Sequence, residues 1–255
     1  MTKVSLIMTV YNRADYLAQA IDSVIVQTYP YWELIIINDG STDKSLDIAN
    51  TFATKDSRIL VTSSPHLGRA LALQKAHALA QGEYLGWLDS DDWLAPKALE
   101  ATVEILQLNP QVGMVYTNYQ VVNEQGQILG DGKRCQIPYS KERLLVDLMI
   151  FHFRLFRRQV FELAGGIDPF FPVAMDYDLC LRLSEITQIQ HLPLPLYYYR
   201  HHRNSISGAR RLEQIYYSSE AIKKALHRRG LAEKMKLEVE VSARFRLRRC
   251  GGKSK

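Results

Sequence analysis

Short, almost continuously apolar segments alternate along the chain with longer segments whose apolar residues recur at helical spacing. Val4–Val10 (VSLIMTV), Trp32–Ile37 (WELIII), Ile59–Thr62, Glu83–Leu88 (EYLGWL) and Val112–Asn118 (VGMVYTN) predict strands. Their apolar residues run on without alternation, which fits strands buried on both faces. Between them, Asp15–Gln27 places Leu17, Ile21, Val24 and Ile25 on one helical face. Further helices are predicted over about 43–54, over Leu67–Gln81 with Gly82 as a C-cap, and from Pro96 to Leu108. Strand–helix alternation of this kind implies a doubly wound, mostly parallel sheet with helices on both faces.

The pattern changes after residue 118. Tyr119–Leu129, interrupted by Asn123-Glu124-Gln125-Gly126, predicts a polar hairpin. Residues 140–165 predict interrupted helix, Gly165–Pro169 a loop, Asp176–Ile186 a helix, and Leu192–Tyr199 an extended segment. Arg210–Arg229 and Ala232–Arg249 predict two basic amphipathic helices.

Of the 255 residues, 47% are hydrophobic and 23% charged, which excludes disordered and fibrous classes. No apolar run approaches the roughly 20 residues of a membrane-spanning helix. The N-terminus shows no secretory pattern. Cys135, Cys180 and Cys250 lie far apart with no CxxC pair, arguing against a disulfide framework or structural zinc and for a reducing cytoplasm. Residues 1–207 carry 18 basic and 22 acidic side chains, and residues 208–255 carry 14 and 5. This asymmetry leaves three readings for the tail: helices packed on the domain, peripheral contact with the anionic inner face of a membrane, or nucleic-acid binding, disfavoured for want of a matching motif.

The chemistry-bearing residues cluster at predicted strand ends, where open α/β sheets bind ligands. The first strand ends in Thr9, Val10, Tyr11 and Asn12, the second in Asn38 and Asp39, and the fourth in Asp89, Asp91 and Asp92. Three carboxylates within four residues repel one another when ionised, and a hard divalent cation relieves that repulsion. The same stretch also suits a helix N-cap, and Asn38-Asp39-Gly40-Ser41 also suits a simple turn. No GxGxxG follows the first strand and no GxxxxGK[ST] loop occurs, which disfavours dinucleotide cofactors and P-loop chemistry. A nucleotidyltransferase is disfavoured too, because no basic glycine-rich loop follows the first strand.

The ordered set TVYNR (Thr9–Arg13), SVIVQTYPYWELIIINDGSTD (Ser23–Asp43), GEYLGWLDSDDWL (Gly82–Leu94) and a late acidic motif resembles glycosyltransferase family 2, inverting enzymes of the GT-A fold. The resemblance spans about residues 3–207. It implies a Rossmann-like, mostly parallel central sheet flanked by helices, followed here by a C-terminal basic helical extension. It divides residues 1–207 into a nucleotide-binding half (1–118) and an acceptor-binding half (119–207), with 208–255 as the tail.

By the same resemblance, Thr9, Val10, Tyr11, Asp39, Arg69 and Asp89 contact the nucleotide-sugar. Asp91 and His202, the latter in a YRxHxxxxS-like segment, hold Mn2+ or Mg2+, with Arg200 beside the diphosphate. Asp176 is the catalytic base, and Asp178 is its rival. Met175 stands where the family usually has Glu. The implied reaction moves a sugar from a nucleotide-sugar, a UDP-sugar by resemblance, to a hydroxyl on a glycan or lipid-linked acceptor. Met175 is the one hint toward a different class, a non-catalytic nucleotide-sugar-binding scaffold. Acceptor contacts are expected among Trp93, His152, Phe153, Arg154, Phe170, Phe171 and Tyr177.

Overall fold

A computed structural model describes residues 2–202 and 210–242. In chain order the elements are β1 (Val4–Val10), α1 (Ala14–Ile25), β2 (Trp32–Asp39), α2 (Ser45–Ala53), β3 (Ile59–Ser64), α3 (Arg69–Leu79), β4 (Tyr84–Trp87), β5 (Trp93–Leu94), α4 (Ala98–Leu108), β6 (Val112–Val122), β7 (Ile128–Asp131), β8 (Arg154–Arg157), α5 (Arg158–Leu163), α6 (Met175–Ile186), β9 (Gln188–Arg200) and α7 (Arg211–Arg228).

One sheet runs in the order β3-β2-β1-β4-β8-β6-β9-β5, with β7 paired to β6. Strands β1 to β4 pair in parallel. β8 is antiparallel to both β4 and β6, and β6 is parallel to β9. Two antiparallel steps restore the original direction, so β9 ends on the same edge of the sheet as β1, β2 and β4. That topology is the reason His202, just past β9, reaches residues from the first half of the chain.

Successive residues of the inner strands face opposite layers, as the pleat requires. Leu6 and Met8 of β1 and Leu34 and Ile36 of β2 pack with α1 and α4, while Ile7, Ile35 and Ile37 pack with α3 and α6. The continuous apolar runs thus reflect two cores, one per face.

The structure corrects four expectations. Gly82 does not cap α3, which ends at Leu79 with extended Ala80 after it. It is needed because β1 passes so close that a Cβ would lie 2.5 Å from Ser5 N and 2.7 Å from Lys3 O. Gly82→Ala is therefore expected to destabilise the fold by about 1–3 kcal/mol, read as a lower midpoint in thermal unfolding. An unchanged midpoint would mean that β1 yields there without cost.

Residues 140–165 are not a broken helix. A single 3-10 turn at Arg143–Leu145 leads to β8 and then to α5. The spaced apolar residues Leu144, Leu145, Met149 and Ile150 pack into the core from an irregular segment.

The predicted helix over Ala232–Arg249 is absent in its described part, residues 232–242; the rest lies outside the described residues. Gly230, at φ +64°, follows the end of α7. Beyond it, Met235, Leu237, Val239 and Val241 alternate with polar residues, a period of two rather than the 3.6 of a helix. The extended segment is also longer than expected, as β9 starts at Gln188. Its register against β6 shifts next to Pro193 and Pro195, which cannot donate to the ladder.

The α7 part of the tail packs on the domain: Ala221, Ala225 and Leu226 are buried in the core that holds α6, with Ile222 partly buried against it. Cys135 and Cys180 are buried free thiols, and Cys250 lies outside the described residues. Among the described residues no helix is long and apolar enough to cross a membrane.

Candidate active site

Two loops lock together at the ends of β1 and β2. Asn12 adopts φ +52°, a left-handed conformation that asparagine tolerates. Its Oδ1 accepts from Thr42 N at 2.8 Å, and its backbone N–H donates to Ser41 Oγ at 3.1 Å. Thr9 is half-buried in β1, Val10 is buried, and Tyr11 emerges 43% exposed with its ring stacked on His66.

Asp39, at the end of β2, is buried. Its carboxylate accepts from Leu67 N at 2.8 Å and Gly68 N at 3.0 Å, the amides that lead into α3. Asp39 thus anchors the start of the helix whose first residue is Arg69.

The crowded carboxylates after β4 are separated by partners from within the chain. Asp89 pairs with Arg69. Asp91 Oδ2 accepts from Arg13 Nε at 2.9 Å and lies 2.9 Å from His202 Nε2. Asp92 accepts from Tyr197 Oη at 2.7 Å and Arg200 N at 2.7 Å. Burial and the two neighbouring carboxylates push Asp92 well above the ordinary carboxylate range, and burial also raises Asp89. Asp91 is lowered: burial works against its charge, but His202 and Arg13 outweigh it. Arg69, Arg13 and His202 thus relieve part of the repulsion, while Asp89 and Asp92 still feel their neighbouring carboxylates.

Arg200 is engaged by groups of the protein itself. Its Nε donates to Asp91 O at 2.9 Å, one Nη donates to Glu124 O at 2.6 Å, and its guanidinium lies over Tyr16 and Trp93. It ties the acidic loop to the β6–β7 turn.

Asp176 enters from the opposite side, in the first turn of α6, behind Ala174 at φ +62°. Its Oδ2 accepts from Arg154 Nη2 at 3.0 Å and its Oδ1 from Tyr177 N at 2.9 Å. Burial raises its proton affinity, but the charges of Arg154 and Arg69 outweigh this and hold the carboxyl at about 2. Arg69 thus pairs with Asp89 directly and acts on Asp176 through its field, joining the two halves of the crevice. His152 lies 3.7 Å from Asp89 and stacks on Tyr197; burial lowers it well below the usual histidine range.

Asp178 is closed off by Arg182, with distances of 2.7 and 2.9 Å inside α6, and does not share the crevice. Met175 is buried in the core rather than facing solvent. Phe153 and Phe171 are core residues as well; Tyr177 is largely buried but lines the cavity beside Asp176, and Trp93, His152, Arg154 and Phe170 keep exposure or a crevice contact. Beside Asp176 lies a cavity of about 490 Å3, walled by Val146, Leu148 and the α7 residues Gln214, Ile215, Ser218 and Ile222.

Two site residues had no role in the sequence reading. Arg13 stood inside TVYNR, but nothing local says that it reaches Asp91. His66 stood in HLGRALAL, where only Arg69 drew notice. Arg203–Ser207 of the YRxHxxxxS-like segment lie outside the described residues.

The acidic strand ends of an α/β sheet thus gather in one crevice. The chain belongs to glycosyl transferase family 2, whose family model matches residues 5–164. It is 35% identical over 189 residues to a chondroitin synthase of Pasteurella multocida, covering 74% of this chain but only 20% of that protein, so the chain spans about a fifth of that relative. Among solved structures it resembles S. aureus TarS 1-349 in complex with UDP-GlcNAc, with a TM-score of 0.67 at 19% identity, covering 92% of this chain and 76% of that one. It also resembles the mannosyltransferase PcManGT from Pyrobaculum calidifontis in complex with GDP-Man and Mn2+, with a TM-score of 0.65 at 17% identity, covering 91% and 70%. At these identities the structural likeness establishes the GT-A fold.

Proposed function

We propose that this chain transfers a sugar from a nucleotide-sugar, a UDP-sugar first among candidates, to a hydroxyl of a glycan or lipid-linked acceptor with inversion at the anomeric carbon. The observation that carries the reading is the convergence of Asp89, Asp91 and Asp176 on one crevice, with Arg69 paired to the first and acting on the last. Relatives and fold neighbours named for glycan synthesis or holding UDP-GlcNAc and GDP-Man support it.

Thr9, Val10, Tyr11 and Asp39 border the base, and Arg69 and Asp89 the ribose and sugar. Asp176 takes the proton of the acceptor hydroxyl as its oxygen bonds to the anomeric carbon and the bond to the diphosphate breaks. Both Asp176 oxygens keep a lone pair beyond the contacts to Arg154 and Tyr177 N. A carboxylate held at about 2 is a weak base. Two effects make it sufficient: the hydroxyl proton becomes acidic as the new bond forms, and a bound diphosphate draws part of the Arg69 field away from Asp176.

Asp91 and His202 fit a divalent cation such as Mn2+ or Mg2+. A carboxylate and an imidazole stand 2.9 Å apart, and among the described residues no group of three such ligands occurs, so donor oxygens and water would complete the shell. A cation held there would supply charge neutralisation for the departing nucleoside diphosphate.

Calorimetric titration with UDP, GDP and dTDP, each with Mn2+ and with EDTA, tests the reading. UDP is expected to bind, and to bind more tightly with Mn2+. Binding of none of the three would overturn it.

A further inference from the structure

His66 follows β3 and leads into the two amides that hold Asp39. Its ring lies on Tyr11 with centroids 4.0 Å apart and planes 24° from parallel. Its Nδ1 is 3.0 Å from Asp39 Oδ2 and 3.0 Å from Asp39 O. A nucleobase held by Tyr11 and Asp39 needs the same two contacts, a flat ring on the tyrosine face and an N–H directed at the carboxylate. Rings at 4.0 Å are already in contact, so no third ring fits between them.

The backbone of His66 is closely packed against the turn at Gly40. Gly40, at φ +75°, passes so close that a Cβ would lie 2.8 Å from His66 N. The side chain is 54% exposed, which leaves the ring a route toward solvent.

We propose that His66 is a built-in mimic of the base, occupying the nucleotide slot when it is empty and displaced when a nucleotide enters. This rests on the reading of Tyr11 and Asp39 as the base contacts. The apparent affinity then equals the intrinsic affinity multiplied by the fraction of molecules with His66 swung out. That fraction is common to every nucleotide, so His66 weakens all of them by one factor and re-enters the slot as the product nucleotide leaves.

The test is calorimetry of UDP and CDP in Mn2+ with the full chain. His66→Ala is expected to tighten both by the same factor, about 3–10-fold, the scale of one aromatic stack. Weaker binding, unchanged binding or unequal factors would overturn the proposal, because a histidine that contacts the bound base gives those outcomes. Tyr11→Ala in the His66→Ala background separates this from the underlying reading. If that pair of changes weakens UDP relative to His66→Ala, Tyr11 stacks on the base, and the single variant decides the role of His66. If it does not, the base slot lies elsewhere and both ideas fall. Proton NMR gives a second readout: the His66 ring signals should be ring-current shifted in the free protein and lose that shift at saturating UDP. A shift that persists would overturn the displacement.

Discussion

Replacing Asp176 with asparagine is expected to lower sugar transfer by about 10²–10⁴-fold while UDP still binds with wild-type affinity. Asparagine keeps the shape of the side chain and an acceptor oxygen for Arg154, at the cost of the contact from Tyr177 N, so the crevice is expected to stay assembled. What it loses is the ability to take a proton. The pH profile supplies an independent check. Asp176 is held at about 2 by Arg154 and Arg69, so it is ionised, and competent as a base, at every pH above that value. Protonation of Asp176 in the free enzyme should therefore produce no fall in kcat/KM between pH 5 and pH 8, and a loss would begin only as the pH approaches its low value. Full transfer by Asp176→Asn, measured with donor in excess, would remove Asp176 from the role of base. Weakened UDP binding in the same variant would instead mean that the change disturbs the donor side through Arg69.

Much of this site was legible because the first half of the chain is locally consistent. β1, β2 and β4 are apolar on both faces and end abruptly in polar residues, so the strand ends and the residues they present follow from the sequence. β8 was not legible for a physical reason. Its four residues, Arg-Leu-Phe-Arg, send Leu155 into one core and Phe156 into the other, with charged residues at both ends, and this gives neither a two-residue period nor an apolar run. That short strand matters out of proportion to its length. It reverses direction between β4 and β6, which brings the end of β9 back to the crevice, and it carries Arg154 to Asp176.

The pairing of the acidic loop was equally hidden. Asp89, Asp91 and Asp92 read alike in sequence, yet they meet Arg69, Arg13 with His202, and Tyr197 with the Arg200 amide. The partners come from α3, from the loop before α1 and from β9 with its end, so only the assembled sheet distinguishes a crevice carboxylate from the structural one, Asp92.

That distinction sets the second large effect. Asp91→Asn is expected to abolish the metal dependence of nucleotide binding. UDP affinity in Mn2+ should fall by about 10²-fold or more, to the value measured in EDTA. The charge on Asp91 is favoured in the folded protein by His202 and Arg13 despite its burial, so the wild-type side chain meets a cation as a carboxylate at neutral pH. Asparagine retains an oxygen for Arg13 but no net charge, and a hard cation that depends on one carboxylate and one imidazole loses its anionic ligand. Asp92→Asn provides the contrast. Its carboxyl faces Tyr197 and the backbone of β9, so the change is expected to lower thermal stability while leaving the ratio of affinities in Mn2+ and EDTA intact. Retention of metal dependence by Asp91→Asn would move the cation to another ligand set. Its loss in Asp92→Asn would mean that the acidic loop responds as one unit rather than as residues with separate partners.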